Sequence, residues 1–111
     1  MELSGRTVAI TGVGGFIGRR MAERARARGM RVRGLDLSLQ AVAGLDAELR
    51  RGDVTDPAAA RWLVAGADVL FHAAAVVHED GPSALYERVN VDGTRTVVGA
   101  AAAAGVPRVI H

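Results

Sequence analysis

Gly12, Gly14, Gly15 and Gly18 crowd into the stretch that follows Thr7-Val8-Ala9-Ile10. A β-branched apolar run this short, stopped by glycine, reads as a strand buried on both faces, as parallel strands are. Past the glycines the pattern changes to helical period over residues 16–30. Ile17, Met21 and Ala25 fall on one stripe, the arginines and Glu23 lie off it, and Gly29 supplies the stop. A chain that turns from strand to helix through glycine can approach a neighbouring backbone closely. It also leaves amide hydrogens free at the mouth of the helix. That combination confines the chain to a strand–loop–helix architecture with an anion-accepting turn.

The rest of the chain repeats the alternation. Residues 31–35 form a second strand closed by Asp36, and residues 47–51 a weaker third before Gly52 and Asp53. Asp56 is placed to cap a short helix that Pro57 opens and that runs to about Ala65. A fourth strand, residues 68–71, leads into His72-Ala73-Ala74-Ala75, and residues 79–82 read as a polar loop. One long helix is expected over residues 83–104, with Leu85, Val89, Val97 and Ala101 buried, Gly105 as its cap and Pro107 beyond. Residues 108–111 begin a fifth strand. Alternation of this kind implies a doubly wound parallel sheet with right-handed crossovers, in the order 3-2-1-4-5. With 111 residues and no linker or repeat, the whole chain reads as one domain.

Two spacings compete in the glycine loop. As G-x-G-x-x-G from Gly12 and Gly14, the third position falls on Ile17 and the pattern fails; as T-G-x-x-G-x-x-G, Thr11, Gly12, Gly15 and Gly18 all fit. Position strengthens the second reading, because the loop follows a strand, opens a helix and is answered by an acid at the end of the next strand. That acid, Asp36, can accept hydrogen bonds from both hydroxyls of an adenosine ribose and would repel a 2′-phosphate, favouring NAD over NADP. The competing reading has the carboxylate cap the following turn. The fold class is therefore α/β and Rossmann-type.

Four segments in this order, T-G-x-x-G-x-x-G, Gly52-Asp53-Val54-Thr55-Asp56, His72-Ala73-Ala74-Ala75 and Val89-Asn90-Val91-Asp92-Gly93-Thr94, resemble the extended short-chain dehydrogenases/reductases. That family includes NAD-dependent sugar epimerases and dehydratases. The second half is also similar to the 3β-hydroxysteroid dehydrogenase branch. The resemblance implies that Phe16 and Ile17 offer backbone amides to a pyrophosphate, and that Asp53 accepts the adenine amino group with the Val54 backbone beside it. It implies that Ala73, Ala74 and Ala75 line the path to the nicotinamide ribose, and that Asn90 holds the neighbouring strand-end backbone. The residues alone leave plainer roles open: Asp53 beginning a turn, the alanines packing a helix, Asn90 solvated.

The same resemblance places a Ser or Thr after the fifth strand and a Tyr-x-x-x-Lys on the next helix. All 14 basic residues here are arginine, and the one tyrosine, Tyr86, has Asn90 four residues on, so that dyad cannot form within this chain. No catalytic residue is expected. The expectation is the cofactor-binding portion of an epimerase/dehydratase-type oxidoreductase, truncated before its catalytic and substrate-binding part and inactive alone. A non-catalytic NAD(P)-sensing module is the alternative. A fifth strand at the sheet edge suggests a homodimer or a swapped assembly.

Composition closes other classes. Net charge is only +2, and Arg19, Arg20, Arg24, Arg26, Arg28, Arg31 and Arg33 read as solvated helix and strand flanks rather than a nucleic-acid surface. No apolar run approaches the roughly 18 residues of a membrane span, and the first residues lack the apolar core of a leader. Cysteine is absent, which fits a reducing cytoplasm. His72, His78 and His111 lack metal-ligand spacing, and Ser4, Ser38 and Ser83 lack His/Asp company for hydrolysis.

Overall fold

The computed structural model describes residues 2–74 and 87–110. Five parallel strands form one sheet: β1 (Thr7–Thr11), β2 (Arg31–Asp36), β3 (Glu48–Arg51), β4 (Val69–His72) and β5 (Arg108–Ile110), in the order β3-β2-β1-β4-β5. Between them lie α1 (Phe16–Ala27), a 3-10 turn (Gln40–Val42), α2 (Pro57–Val64), a π-helical turn (Glu87–Asp92) and α3 (Gly93–Ala103). Strand order and parallel sense are those the alternation predicts.

Side-chain alternation along β1 splits the core. Val8 and Ile10 face Ala22 and Ala25 of α1, together with Met30, Val32 and Val42. Ala9 faces the other way, towards Leu63 and Val64 of α2 and Val97 and Ala101 of α3. All of these are buried, so the centre of the sheet is dry on both sides, as a parallel sheet requires. β5 forms one edge, and its three residues are exposed.

Local chemistry sets the boundaries. Asp56 accepts from the Ala58 amide at 3.0 Å and Pro57 opens α2, the predicted cap and first turn. α1 stops at Ala27, where Gly29 takes φ of +80° and lets Met30 fold back under the helix.

Two expectations are corrected. The buried stripe of α1 is Gly18, Ala22 and Ala25, whereas Ile17 is 62% exposed. The helix start abuts the carbonyl of Gly12, and only a residue without a Cβ fits inward there, so the branched side chain turns out. Nor is the long helix uniform: its described part opens with the π-helical turn before continuing as α3. Residues 83–86, with Leu85, lie outside the described residues, as does the side chain of Val89; Val97 and Ala101 are buried as expected.

Several arginines of the described residues are engaged within the fold. Arg26 donates to Asp46 at 2.6 Å and to the Met30 carbonyl at 2.8 Å. Arg33, expected to be solvated, is largely covered: it donates to the Ala65 carbonyl at 2.7 Å and lies 4.5 Å over the Trp62 ring. Arg50 approaches the same ring, at 5.7 Å. The planar guanidinium can stack and donate together, which an ammonium cannot.

Candidate dinucleotide site

The site lies at the carboxyl ends of β1 and β4, where the strand order reverses. In open α/β sheets that reversal leaves a crevice with no crossover helix in the way. Here it is floored by the glycine loop on one side and by Ala73 and Ala74 on the other.

The loop glycines differ in what they answer to. Gly12 has φ of +68°, and a Cβ there would sit 2.8 Å from the Ala74 amide nitrogen. A Cβ on Gly18 would strike the Gly12 carbonyl oxygen, and one on Gly14 would strike the Ser38 carbonyl oxygen. These three are glycine because the protein's own backbone leaves no room. Gly15 is different. Its φ of −81° suits any residue, and its Cβ would meet, among the described residues, only Gly12 O at 3.3 Å. Backbone strain does not require glycine there, and the one close contact is milder than those at Gly12, Gly14 and Gly18.

Gly15 is also the N-cap of α1. It has no side chain to offer the helix amides, and the first turn holds no acid. Phe16 and Ile17 follow it with exposed side chains, at 69% and 62%. The positive end of the helix is thus unneutralised by its own residues and ready for an anion.

Asp36 closes β2 opposite this loop. Its Oδ2 accepts from the Gly14 amide at 2.9 Å, while Oδ1 accepts from Leu37 at 2.7 Å and Ser38 at 3.4 Å. The carboxylate therefore does cap its turn, the plainer of the two readings. Oδ2, with one amide donor, retains a lone pair, so a ribose hydroxyl remains within its capacity. Spacing alone passed over Gly14, whose amide ties loop to acid. The signal available was the extra glycine itself.

Asp53 and Thr55 close β3 in the same local way, Asp53 Oδ1 accepting from the Thr55 amide at 2.9 Å and from its hydroxyl at 2.8 Å. The turn reading of Asp53 is thus present, and Oδ2 enters neither of these bonds. Val54 buries its side chain against α3, where a Cβ on Gly93 would come within 2.5 Å of Val54 Cγ2. Asn90, in the π-helical turn, gives its carbonyl to the Thr94 hydroxyl at 2.6 Å. Ala73 and Ala74 follow β4, the Ala73 amide donating to Thr11 O at 3.2 Å, and Ala74 packs against the core cluster that α2 and α3 share. Ala75 lies outside the described residues, as do His78, Ser83, Tyr86 and His111.

A groove of about 640 Å³ between α1 and the 3-10 turn, lined by Arg19, Arg20, Glu23, Arg24 and residues 41–43 and 45, contains no part of the glycine loop. It belongs to the outer flank of α1. No helix among the described residues is long and apolar enough to cross a membrane.

Residues 8–111 match the family model described as the NAD dependent epimerase/dehydratase family. The chain belongs to that family. It is 37% identical over 105 residues to the 4-hydroxy-2-methyl-3-oxo-4-farnesyl-3,4-dihydroquinoline-1-oxide ketoreductase of Stigmatella aurantiaca, covering 92% of this chain and 31% of that protein. It is 31% identical to a 3 beta-hydroxysteroid dehydrogenase/Delta 5-->4-isomerase of Mycobacterium tuberculosis, covering 94% and 30%. Among solved structures, a short-chain dehydrogenase/reductase superfamily protein from Agrobacterium tumefaciens with bound NAD superposes with a TM-score of 0.83 at 32% identity. That match covers 94% of this chain and 31% of the other. The chain spans about a third of the length of the curated relatives it matches. The family the sequence motifs resemble is the family found.

Proposed function

We propose that this chain binds NAD(H) and forms the cofactor-holding part of an epimerase/dehydratase-type oxidoreductase. The observation that carries the reading is Gly15, a glycine with ordinary backbone angles at a helix start without a side-chain cap, in the loop that Asp36 holds. The solved relative that holds NAD supports it. When bound, the nicotinamide supplies hydride transfer; the residues here bind and orient.

In this reading the Phe16 and Ile17 amides take the pyrophosphate, supported by the helix dipole. Gly12, Gly15 and Gly18 let the backbone come close enough. Asp36 accepts from the adenosine ribose and disfavours a 2′-phosphate, which selects NAD over NADP. Asp53 takes the adenine amino group beside the Val54 backbone, while Ala73, Ala74 and Ala75 leave space for the nicotinamide ribose. Asn90 braces the start of α3 beside that strand end.

Binding is as far as this chain goes alone. It has no lysine to lower a tyrosine pKa, so the acid/base dyad the resemblance implies has no counterpart in these 111 residues. The test is a titration of the purified chain with NADH, followed by fluorescence and by heat. Saturable binding with NADPH weaker, and no alcohol oxidation with NAD above a cofactor-only control, is expected. A flat titration overturns the reading.

A further inference from the structure

The two faces of β4 are covered unequally. Leu70 packs towards α2 and α3 and is fully buried, whereas Val69 and Phe71, on the α1 side, are only half-buried. Beside them Ile110 of β5, the register partner of Phe71, is 49% exposed. A strand inside a parallel sheet is covered on both faces by helices, and α1 lies over β1 and β2. A groove of about 300 Å³ is left alongside α1, lined by Val8, Val69, Phe71 and Ile110 of the sheet, Met21 of α1 and Leu3. It contains none of the residues assigned to the dinucleotide.

The polar rim of this groove is basic. Arg6, Arg24, Arg28 and Arg108 line it, with Asp68 as the one acid among them. Asp68 is already engaged: Oδ2 accepts from the Thr7 amide at 2.8 Å, and Oδ1 lies 3.6 Å from Arg6 Nη1. Arg24, Arg28 and Arg108 have no ion pair among the described residues. Arg24 and Arg28 stand one helical turn apart at the end of α1, and Arg108 opens β5 on the other flank. An apolar trough is therefore bordered on two sides by guanidiniums in want of anions.

Shape and charge together select the occupant. An extended segment would pair with the free edge of β5 in the plane of the sheet, not on this face. The face of a parallel sheet is closed by a helix, which would lie beside α1. A second copy of this chain in two-fold contact would bring the same three arginines together, a like-charge juxtaposition. We propose that the groove docks an amphipathic helix from outside these 111 residues, with its apolar stripe on Val69, Phe71 and Ile110 and carboxylates on its flanks facing Arg24, Arg28 and Arg108. Apolar burial supplies the affinity, and the carboxylate–guanidinium pairs set the orientation and exclude basic partners. The inference stands apart from the NAD(H) reading.

The probe is a fluorescein-labelled peptide of about 18 residues, long enough to form a helix. It carries leucine at i, i+3, i+4 and i+7 spacing, with glutamate and alanine elsewhere. A second peptide has lysine in place of glutamate. Each is titrated into the purified chain and followed by anisotropy. The glutamate peptide should bind saturably, and the lysine peptide about tenfold more weakly or worse. Ile110→Glu should weaken the glutamate peptide by about tenfold. Arg28→Glu combined with Arg108→Glu should weaken the glutamate peptide and strengthen the lysine peptide, a reversal that loss of fold cannot produce. All three side chains are exposed. Should Ile110→Glu not melt cooperatively, Ile110→Ala carries the apolar comparison.

A flat titration with both peptides overturns the proposal, as does equal binding of the two or variants that match the parent. Sedimentation that finds a dimer made monomeric by Ile110→Glu also overturns it, because a second copy then fills the groove.

Discussion

The Gly14 amide donates to Asp36 Oδ2 across 2.9 Å. The carboxylate that closes β2 thus also holds the middle of the glycine loop, and it takes the Leu37 amide on its other oxygen. Replacing Asp36 with Ala removes the acceptor for these amides and should cost about 1–3 kcal/mol. Asp36→Asn keeps one carbonyl acceptor and should cost less. Without the negative charge it should also admit NADPH better, narrowing the NADH/NADPH affinity ratio by about tenfold. Urea melts and paired titrations read the two effects separately.

Gly15→Ala should separate binding from folding. The backbone there is ordinary, and among the described residues the added methyl meets one carbonyl oxygen at 3.3 Å. The loss in stability should stay near 1 kcal/mol, that of Ala for Gly at an N-cap. NADH affinity should drop by about tenfold or more, since the methyl fills the space a phosphate would enter. Unchanged affinity would remove the main support for the site.

Gly18→Ala should do the opposite. Its methyl is driven into the Gly12 carbonyl, a backbone atom that cannot swing away. Overpacking of this kind costs about 1–3 kcal/mol, and in a domain of this size each kcal/mol lowers Tm by about 4–8 °C. Calorimetry should show the shift with or without cofactor.

Arg33 and Arg50 both approach the Trp62 ring, at 4.5 and 5.7 Å from its centroid. Trp62→Leu keeps an apolar side chain but loses the ring that both guanidiniums face. The stacking part of the loss should be about 1 kcal/mol. A double-mutant cycle with Arg33→Met measures it, and NADH binding should not respond.

The sheet was legible because its signals are local and repeated. A β-branched run stopped by glycine marks β1, short apolar runs closed by Asp36 and by His72 mark β2 and β4, and Asp56-Pro57 marks the start of α2. The inward face of α1 was not legible in the same way. Hydropathy favours Ile17, but the closeness of the Gly12 carbonyl favours Gly18, and that closeness exists only once the loop has folded. The π-helical turn before α3 likewise carries no pattern of its own. At the site, the residue types were readable and their double use was not. Asp36 was weighed as ribose acceptor or turn cap, and the structure shows the cap together with a bond to Gly14 that spacing did not suggest. His72 shows no metal-ligand spacing in the sequence, and its partner Thr94, 22 residues on, is found only through the fold.

Val13, between these glycines, is fully buried, and its side chain fills the place where Gly34 of β2 lacks a Cβ. The turn is therefore plugged into the core and does not behave as a flap. A ligand would meet a preformed socket, so association should be governed by encounter rather than by rearrangement, and loop amides should exchange with deuterium as slowly as those of β1.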